Sequence, residues 1–379
     1  MMSILLYLHF PFCKQKCSYC DFCSFVTQED TIRTYCDVLC EELKMLSEKY
    51  NHPTVSTVFL GGGTPSIVPV AYMQKVLQAV QTYFSIAEDA ECTTEANPAT
   101  LTKPWLKMVQ SMGINRVSLG VQAIQPNLLK ILGRIHTKED VKEAIDLCRE
   151  VGIVNISVDL MIGLPTQTLQ DVKASIQWVS EEKVSHISCY SLIVEEETPL
   201  ARQIERGTLV LPDEDLACDM QEKATEWLEE LGYKQYEISN YAKKGRESRH
   251  NIGYWIGEWY LGVGLSAHSF VPCSSGTNAV AVRVENTNLL TSYLTNNVPI
   301  QTEISKEERI FEHCMLGLRM NEGINKEIFQ QKFACTLRSL YAETMDQLVA
   351  QGLAYEDDKH FFLTQKGLLL QNQVALLFM

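Results

Sequence analysis

Basic residues are scarce in this chain relative to acidic ones. Its 379 residues include 33 Lys and Arg against 47 Asp and Glu, which gives a formal net charge of −14 at pH 7. General affinity for nucleic acid or for an anionic membrane needs a basic surface. The composition therefore predicts small molecules or specific proteins as partners and no nucleic acid, with membrane contact only through a partner protein.

Long apolar runs are also missing. No stretch approaches the roughly 18 apolar residues that a membrane-spanning helix needs, and the first residues lack the basic segment of a signal peptide. We therefore expect a cytoplasmic protein whose thirteen cysteines are mostly reduced. Five of them lie within apolar patterns and are predicted to be buried: Cys36, Cys40, Cys148, Cys189 and Cys314.

A tight group of cysteines stands near the start of the chain. Cys13, Cys17 and Cys20 form a C-x3-C-x2-C loop directly after a strand-like run over residues 5–10. Three thiolates at this spacing can bind three irons of a cubane iron–sulfur cluster and leave the fourth iron without a protein ligand. Structural zinc usually takes four ligands, often as two C-x2-C pairs, and no second pair follows within the usual distance.

Cys23 keeps two alternatives open. If its thiol were a fourth ligand, the cluster would be closed and could only carry electrons. An open iron, in contrast, is a place where a small molecule can bind and react. The spacing favours the open cluster over a closed four-ligand site and over cysteines without any metal role.

Strand-like runs alternate with helical patterns over the first two-thirds of the chain. Six alternations predict a parallel sheet with helices outside it, either open and doubly wound or curved into a partial barrel. The predicted strands cover residues 5–10, 57–60, 91–96, 116–121, 155–162 and 186–193, and the predicted helices cover residues 30–49, 70–84, 103–112, 138–151, 169–180 and 213–231.

Unusual residues fall at the ends of these predicted strands. Parallel α/β sheets bind ligands at the carboxyl ends of their strands, so residues there are candidate contacts. A tight turn or a buried ion pair would explain each of them alone. Together they predict one binding rim, which comprises the cysteine loop, the run 61–65, Glu95, Asn97, Gln122, Asp159 within the fifth strand, the run 163–165 just after that strand, and residues 195–197 after the sixth.

These motifs resemble those of the radical S-adenosylmethionine enzymes. The cysteine loop with its leading Tyr7-Leu-His-Phe-Pro and the later Gly-Gly-Gly-Thr-Pro-Ser turn carry the resemblance. It is strongest to the branch that contains the oxygen-independent coproporphyrinogen III oxidases and the HemW-type haem chaperones. The agreement continues in order through residues 94–98, 116–122, 132–136 and 159–165, covers residues 7 to about 199 and resumes beyond.

The resemblance implies a six-unit partial (β/α) barrel. It also implies a [4Fe–4S] cluster on Cys13, Cys17 and Cys20, with S-adenosylmethionine chelating the fourth iron. By similarity, the residues that would contact this molecule are Tyr7, Tyr19, Gly62 and Glu95. Positions that contact a second S-adenosylmethionine in the oxidases are matched by Gly63, Thr64, Gln122, Arg134 and Asp159.

Two features separate the branches. The oxidases carry a Gly-Cys pair after the third cluster cysteine and a long N-terminal extension, whereas here Asp21 and Phe22 follow Cys20 and twelve residues precede Cys13. The Cys-Asp-Phe phrase is similar to that of the HemW-type proteins, although these usually have Asn where this chain has Cys23. We therefore expect the HemW branch.

A second resemblance to that branch lies in residues 249–255. The His-Asn-x-x-Tyr-Trp pattern there is similar to the HemW signature thought to hold haem, which implies His250 as an axial ligand of the haem iron. An imidazole is a good ligand for that iron, but a lone histidine is more often a hydrogen-bonded core residue. His268 is a second candidate.

The segment from about residue 304 predicts a small winged-helix-like module. Its candidate recognition helix and wing are acidic, which argues against DNA binding and favours a role in closing the barrel or meeting a protein. Its predicted helices are 306–320, 326–333 and 340–351, followed by strands at 353–355 and 361–364 and a last helix from 365. The predicted domains are thus the barrel (1–235), a linking segment (236–303) and this α+β module (304–379).

The expected function is that of a haem chaperone with a [4Fe–4S] cluster and S-adenosylmethionine. Its expected partners are haem, an acceptor apo-haemoprotein and an electron donor protein. The alternative is an oxygen-independent coproporphyrinogen III oxidase, which converts two propionate groups to vinyl groups by hydrogen abstraction and loss of carbon dioxide. A third alternative is a structural or electron-transfer iron–sulfur protein, and Cys23 bears on it.

Overall fold

Six parallel strands form the centre of the fold in the computed structural model, which describes residues 3–273 and 279–379. Each strand pairs in parallel with the next one along the chain. Sequential order with right-handed crossovers places the connecting helices on one face, so the sheet is the curved partial barrel and not the doubly wound alternative. The strands are β1 (Ser3–Phe10), β2 (Thr54–Gly62), β3 (Ser85–Ala96), β4 (Arg116–Gln122), β5 (Asn155–Ile162) and β6 (His186–Ser191).

The helices that connect these strands pack their apolar faces on the outside of the sheet. Six of them match the predicted helices within one residue at either end, and the short α4 and α7 were not expected from the sequence. Threonines cap α5 and α6, since Thr137 and Thr168 each form a capping box with an aspartate three residues later. The helices are α1 (Glu29–Lys49), α2 (Val70–Tyr83), α3 (Lys103–Ser111), α4 (Pro126–Leu132), α5 (Lys138–Glu150), α6 (Leu169–Glu181), α7 (Pro199–Glu205) and α8 (Glu214–Glu230).

Later strands lengthen the sheet at both edges. β7 (Lys234–Glu237) and β8 (Asn240–Ala242) extend it beyond β6, while β9 (Tyr260–Val263) pairs in parallel with β1. The segment 236–303, predicted as a linking segment, therefore belongs largely to the same sheet; its limits as a domain stay predictions. Beyond β9 follow β10 (His268–Pro272), β11 (Ala281–Glu285) and β12 (Ile300–Ile304), and the helices of this segment are α9 (Arg249–Trp255) and α10 (Leu290–Asn296).

A second apolar core forms the C-terminal module, in the winged-helix-like order that the sequence predicts. Phe329, Phe361 and Phe378 are fully buried in it. The Ile238 N–H donates to the Arg319 carbonyl (3.2 Å), which attaches the module to the edge of the sheet. Its elements are α11 (Lys306–Gly317), β13 (Ile324–Asn325), α12 (Lys326–Phe333), α13 (Leu337–Ala350), β14 (Ala354–Glu356), β15 (His360–Leu363), α14 (Gln365–Leu369) and α15 (Gln371–Ala375), with β15 as the central strand.

Two further expectations concern burial and the membrane. The five cysteines predicted to be buried are all buried, in the cores of the barrel and of the C-terminal module. Of the helices within residues 3–273 and 279–379, none combines the length and the apolar character that crossing a bilayer would need.

Candidate functional site

The cysteine loop lies at the carboxyl end of β1. The thiols of Cys13, Cys17 and Cys20 are free and partly exposed. In the part of the chain that the structure describes, no three His, Cys, Asp or Glu side chains converge as ligands of a single metal ion. On a cubane cluster, each of three thiolates binds a different iron.

The end of helix α4 holds the loop in place. The Ser18 N–H donates to the Leu132 carbonyl (2.9 Å), and the Ser18 hydroxyl donates to the Ile131 carbonyl (2.7 Å). Gly133 ends the helix in the left-handed region (φ +67°), where a β-carbon would lie 3.3 Å from the Ser18 nitrogen. A glycine is therefore needed for this close approach between helix and loop.

Two of the thiols each accept a hydrogen bond from a neighbouring side chain. An Arg134 Nη1 donates to the Cys17 Sγ (3.3 Å), and the Thr64 hydroxyl donates to the Cys13 Sγ (3.6 Å). Another Arg134 N–H donates to the Gly120 carbonyl, whereas the buried Arg134 Nε has no partner in the described residues. Hydrogen bonds to cluster sulfurs tune an iron–sulfur site, so these donors fit a cluster on this loop.

The glycine run after β2 brings bare backbone to the same place. Gly62 has φ +104°, and a β-carbon there would lie 2.5 Å from the ring of His9. A β-carbon on Gly63 would lie 2.6 Å from the Phe12 carbonyl oxygen. Only glycine fits both positions, and the Gly62 N–H donates to the Glu95 Oε2 (3.0 Å).

The buried carboxyl of Glu95 lies beside this backbone, where its ionised form is disfavoured. Burial, and then repulsion from Asp159, raise the pKa of its carboxyl to about 8, although the Gly62 N–H and Arg116 partly oppose the rise. The Tyr7 hydroxyl lies 3.0 Å from the His9 Nδ1, and burial together with Glu95 raises the pKa of Tyr7. A carboxyl in this setting gains a partner when a ligand brings a cation, such as an ammonium group.

The remaining predicted contacts gather around Arg134. Burial alone would lower the pKa of the Arg134 guanidinium. Tyr19, Cys17 and Tyr190 outweigh that effect, so its pKa is raised. Asp159 accepts from the Ser118 hydroxyl (3.2 Å). Gln122 ends β4 in the left-handed region (φ +69°) and accepts from the Tyr190 hydroxyl (3.1 Å). Such strain in a residue other than glycine is typical of functional sites.

A cavity of about 700 Å³ opens beside the cysteine loop. Tyr7, Gly62 and Glu95 line its barrel side, and Phe22 and Cys23 bring the loop to its edge. The opposite wall comes from the C-terminal module and β11, and its charged groups were not expected from the sequence. That wall carries the cations Arg283, Arg309 and Lys332, and the aromatic lining comprises Tyr254, Trp255, Tyr260, Phe270 and Phe333.

His250 does not line this cavity. Its ring is 1% exposed, with Nδ1 2.7 Å from the Thr57 hydroxyl and Nε2 3.0 Å from the Tyr254 hydroxyl, and it stacks on Phe59. Burial lowers the pKa of the imidazole to about 3. Because both nitrogens are engaged, this arrangement does not support the prediction of an axial ligand at His250. His268, in contrast, lines the cavity and lies 3.9 Å from Glu285.

Comparison with known proteins identifies two family matches. Residues 7–179 match the Radical SAM superfamily, and residues 304–370 match the HemN C-terminal domain. The chain is 35% identical over 371 residues to the heme chaperone HemW of Bacillus subtilis, which covers 97% of both chains. It is also 35% identical over 373 residues to the heme chaperone HemW of Lactococcus lactis, which covers 97% of this chain and 95% of the relative.

A solved structure shares the fold over the whole chain. The coproporphyrinogen III oxidase HemN from Escherichia coli, described as a radical SAM enzyme, superimposes with a TM-score of 0.85 at 23% identity, over 100% of this chain and 90% of that one. At this identity the likeness establishes the fold alone, whereas the full-length relatives establish the family. The chain belongs to the radical S-adenosylmethionine superfamily and, within it, to the HemW family.

Proposed function

We propose that this protein is a haem chaperone, which binds haem and passes it to an acceptor protein that lacks haem. The observation that carries the proposal is the aromatic and cationic cavity beside the cysteine loop. Its volume of about 700 Å³ lies in the range of cofactor and ligand sites. The names of the curated relatives, which are heme chaperones, support the same function.

The cysteine loop would hold a [4Fe–4S] cluster through Cys13, Cys17 and Cys20. S-adenosylmethionine held at such a cluster would supply one-electron radical chemistry through reductive cleavage of its sulfonium C–S bond, with methionine as the leaving group. The donors from Arg134 and Thr64 would then hydrogen bond the cluster sulfurs. The loop is partly exposed, so an electron donor protein could approach the cluster from solvent.

The barrel side of the cavity would orient S-adenosylmethionine. Glu95 would release its proton and accept hydrogen bonds from the ammonium group of the methionine part. Gly62 would lie against the same part without a side chain in the way, and Tyr7 and Tyr19 would close the space around it. Gly63, Thr64, Gln122, Arg134 and Asp159 stay predicted contacts on the same rim, at positions that match those for a second S-adenosylmethionine in the oxidases.

Haem would occupy the part of the cavity nearer the C-terminal module. Aromatic rings such as Tyr260 and Phe270 can cover a porphyrin face, and the cations of the opposite wall can pair with its carboxylates. The cavity also opens to the surface, which a carrier needs because its cargo has to leave for the acceptor.

Anaerobic reconstitution of the cluster followed by haem titration tests this function. We expect saturable haem binding, seen in the Soret band, and transfer of the bound haem to apomyoglobin as a probe acceptor. Coproporphyrinogen III offered with S-adenosylmethionine and a reductant should not be converted. Efficient conversion together with absent haem binding would overturn the chaperone proposal in favour of the oxidase.

A further inference from the structure

The C-terminal module supplies a wall of the cavity with an unusual combination of groups. Arg309 and His313 come from α11, one helical turn apart, and Lys332 comes from α12. None of them belongs to a motif that marks the cysteine loop or the His-Asn-x-x-Tyr-Trp segment. Their environment nevertheless shows what kind of ligand the wall can take.

His313 presents a neutral imidazole with no competing partner. It is 7% exposed, and within residues 3–273 and 279–379 neither ring nitrogen forms a hydrogen bond. Burial, and then the charges of Lys332 and Arg309, lower its pKa to about 3. The ring is held by Phe333, with centroids 5.4 Å apart. A neutral imidazole with an available nitrogen is the form that binds a metal.

Gly257 leaves room beside this imidazole. Its φ of +68° lies in the left-handed region, and a β-carbon there would lie 3.5 Å from the His313 Nδ1. A longer side chain would extend into the space next to the nitrogen. The turn after α9 therefore keeps the approach to His313 open.

Two cations flank His313 without carboxylate partners. The Arg309 guanidinium lies 3.9 Å from the centroid of the Trp259 ring, and the Lys332 Nζ donates to the Ile256 carbonyl. Burial lowers the pKa of both groups, and Arg309 lowers that of Lys332 further. Among the described residues, no carboxylate oxygen lies within 4.0 Å of either cation.

Arg283 shows the contrast on the same wall. It forms a bidentate ion pair with Glu312, with N–O distances of 3.0 and 3.2 Å. Arg309 is partly buried and Lys332 is exposed, and Glu312 and Glu258 favour their charged forms from beyond ion-pair distance. Neither cation is held in a direct ion pair, so both can pair with a ligand that carries two negative charges.

We propose that haem binds in this cavity with His313 as an axial ligand and with Arg309 and Lys332 pairing with its two propionates. The inference rests on the proposed function and specifies its site. An aromatic lining, an available imidazole nitrogen and two cations without a direct ion pair together match a planar ligand that carries an iron and two carboxylates.

The other histidines near the cavity fit this role less well. Both nitrogens of His250 are engaged, and Thr57 and Tyr254 would have to move to free them. His268 has a side chain 44% exposed, and its Nε2 lies 3.9 Å from the Glu285 carboxylate. These two histidines are therefore the comparison variants that decide which imidazole reaches the iron.

Haem titration of the full-length protein with its reconstituted cluster tests the axial ligand. We expect His313→Gln to change the Soret maximum and the ferric haem EPR signal and to weaken binding at least about tenfold. His313→Ala should regain the wild-type spectrum when free imidazole is added. His250→Gln and His268→Gln should keep the wild-type spectrum, and His52→Gln, outside the cavity, controls for the loss of any histidine.

A second arm tests the propionate partners and uses haem and its dimethyl ester. Lys332→Gln and Arg309→Gln should each weaken haem binding by about tenfold, since each removes one charge-assisted contact, and should leave binding of the ester nearly unchanged. Equal losses for haem and ester would overturn these assignments. If the His313 variants fail to fold, as judged by thermal unfolding, this arm still tests whether haem lies against the wall that carries Arg309, His313 and Lys332.

The outcomes separate the two proposals. If the wild type does not bind haem, the proposed function itself fails. If the wild type binds haem and the His313 variants keep its spectrum and affinity, the axial assignment is overturned and the chaperone proposal stands. A loss of the wild-type spectrum in His250→Gln or His268→Gln, with His313→Gln unchanged, would move the ligand to that histidine.

Discussion

The two sides of the central cavity differ in the charged groups that line them. The barrel side carries the buried carboxyl of Glu95 and the Cys23 thiol beside the cysteine loop, whereas the opposite side carries Arg309 and Lys332 together with the Arg283–Glu312 ion pair. The barrel side thus suits a cationic ligand next to a metal cluster, and the other side suits an anionic one. One cavity can therefore bind two chemically different molecules. Substitutions on one side can then be tested for their effect on binding at the other side.

The largest expected effect is the loss of the cluster in Cys17→Ser. Removing one of three thiolate ligands should lower iron and sulfide content more than about tenfold after reconstitution. Haem affinity, which depends on the other side of the cavity, should change much less. Cys23→Ser is the matched control and should keep its cluster; if it loses iron as completely as Cys17→Ser, Cys23 is a fourth ligand and the site is closed.

Gly62→Ala should strongly destabilise the barrel side. The β-carbon would clash with the His9 ring at 2.5 Å and would also force a left-handed alanine, so we expect a loss of about 2–4 kcal/mol in the free energy of unfolding. Gly113→Ala is the matched control, because Gly113 has φ +99° with no atom within 4 Å of a β-carbon. It should cost only about 1–2 kcal/mol. Denaturant titration measures both, and equal losses would show that the clash with His9 is relieved.

Binding of S-adenosylmethionine should depend on pH through Glu95. The carboxyl has a pKa of about 8 in the empty protein and is mostly protonated below that value, so a ligand that needs the carboxylate must displace a proton. Affinity should then rise by up to about tenfold per pH unit as the pH approaches 8 and stop rising above it, where the α-ammonium group of the ligand begins to lose its own proton. Calorimetry in buffers of different ionisation enthalpy measures the proton release.

Glu95→Gln supplies the control for that pH dependence. The amide is similar in size and cannot titrate, so binding should be weaker and independent of pH between 6 and 8. Haem binding at the other side of the cavity should be unaffected. A pH dependence that persists in Glu95→Gln would assign the proton to another group.

The smallest expected effect concerns the hydroxyl beside the first cysteine. Thr64→Val removes the donor to the Cys13 sulfur, a long contact at 3.6 Å, and should lower the reduction potential of the cluster slightly. Thr64→Ser keeps the hydroxyl and should keep the wild-type potential. Redox titration followed by EPR measures the difference, and a rise in potential would contradict the proposed hydrogen bond.

Much of the barrel follows from local patterns. Strand 155–162 has the predicted bounds, and the cysteine loop and glycine run follow β1 and β2 where the alternation of strands and helices places them. Strand ends of a parallel sheet meet at one rim whatever the details of packing, so Glu95, Gln122 and Asp159 could be assigned to one site from sequence.

The cationic wall and the hydrogen-bond partners of the His250 ring could not be predicted in that way. Arg309 and Lys332 lie on different helices, whose patterns do not show that both side chains line one cavity. The motif around His250 specifies an imidazole but not its partners, and Thr57, 193 residues earlier, takes one of its nitrogens. Both facts depend on contacts between distant parts of the chain.

Haem titration of the reconstituted wild type beside His313→Gln and His250→Gln decides whether the cationic wall holds the haem. We expect saturable binding to the wild type, an unchanged Soret and EPR signature in His250→Gln, and an altered signature with weaker binding in His313→Gln. Absence of saturable haem binding in the wild type would overturn the chaperone function, and a signature lost only in His250→Gln would move the haem away from the cationic wall.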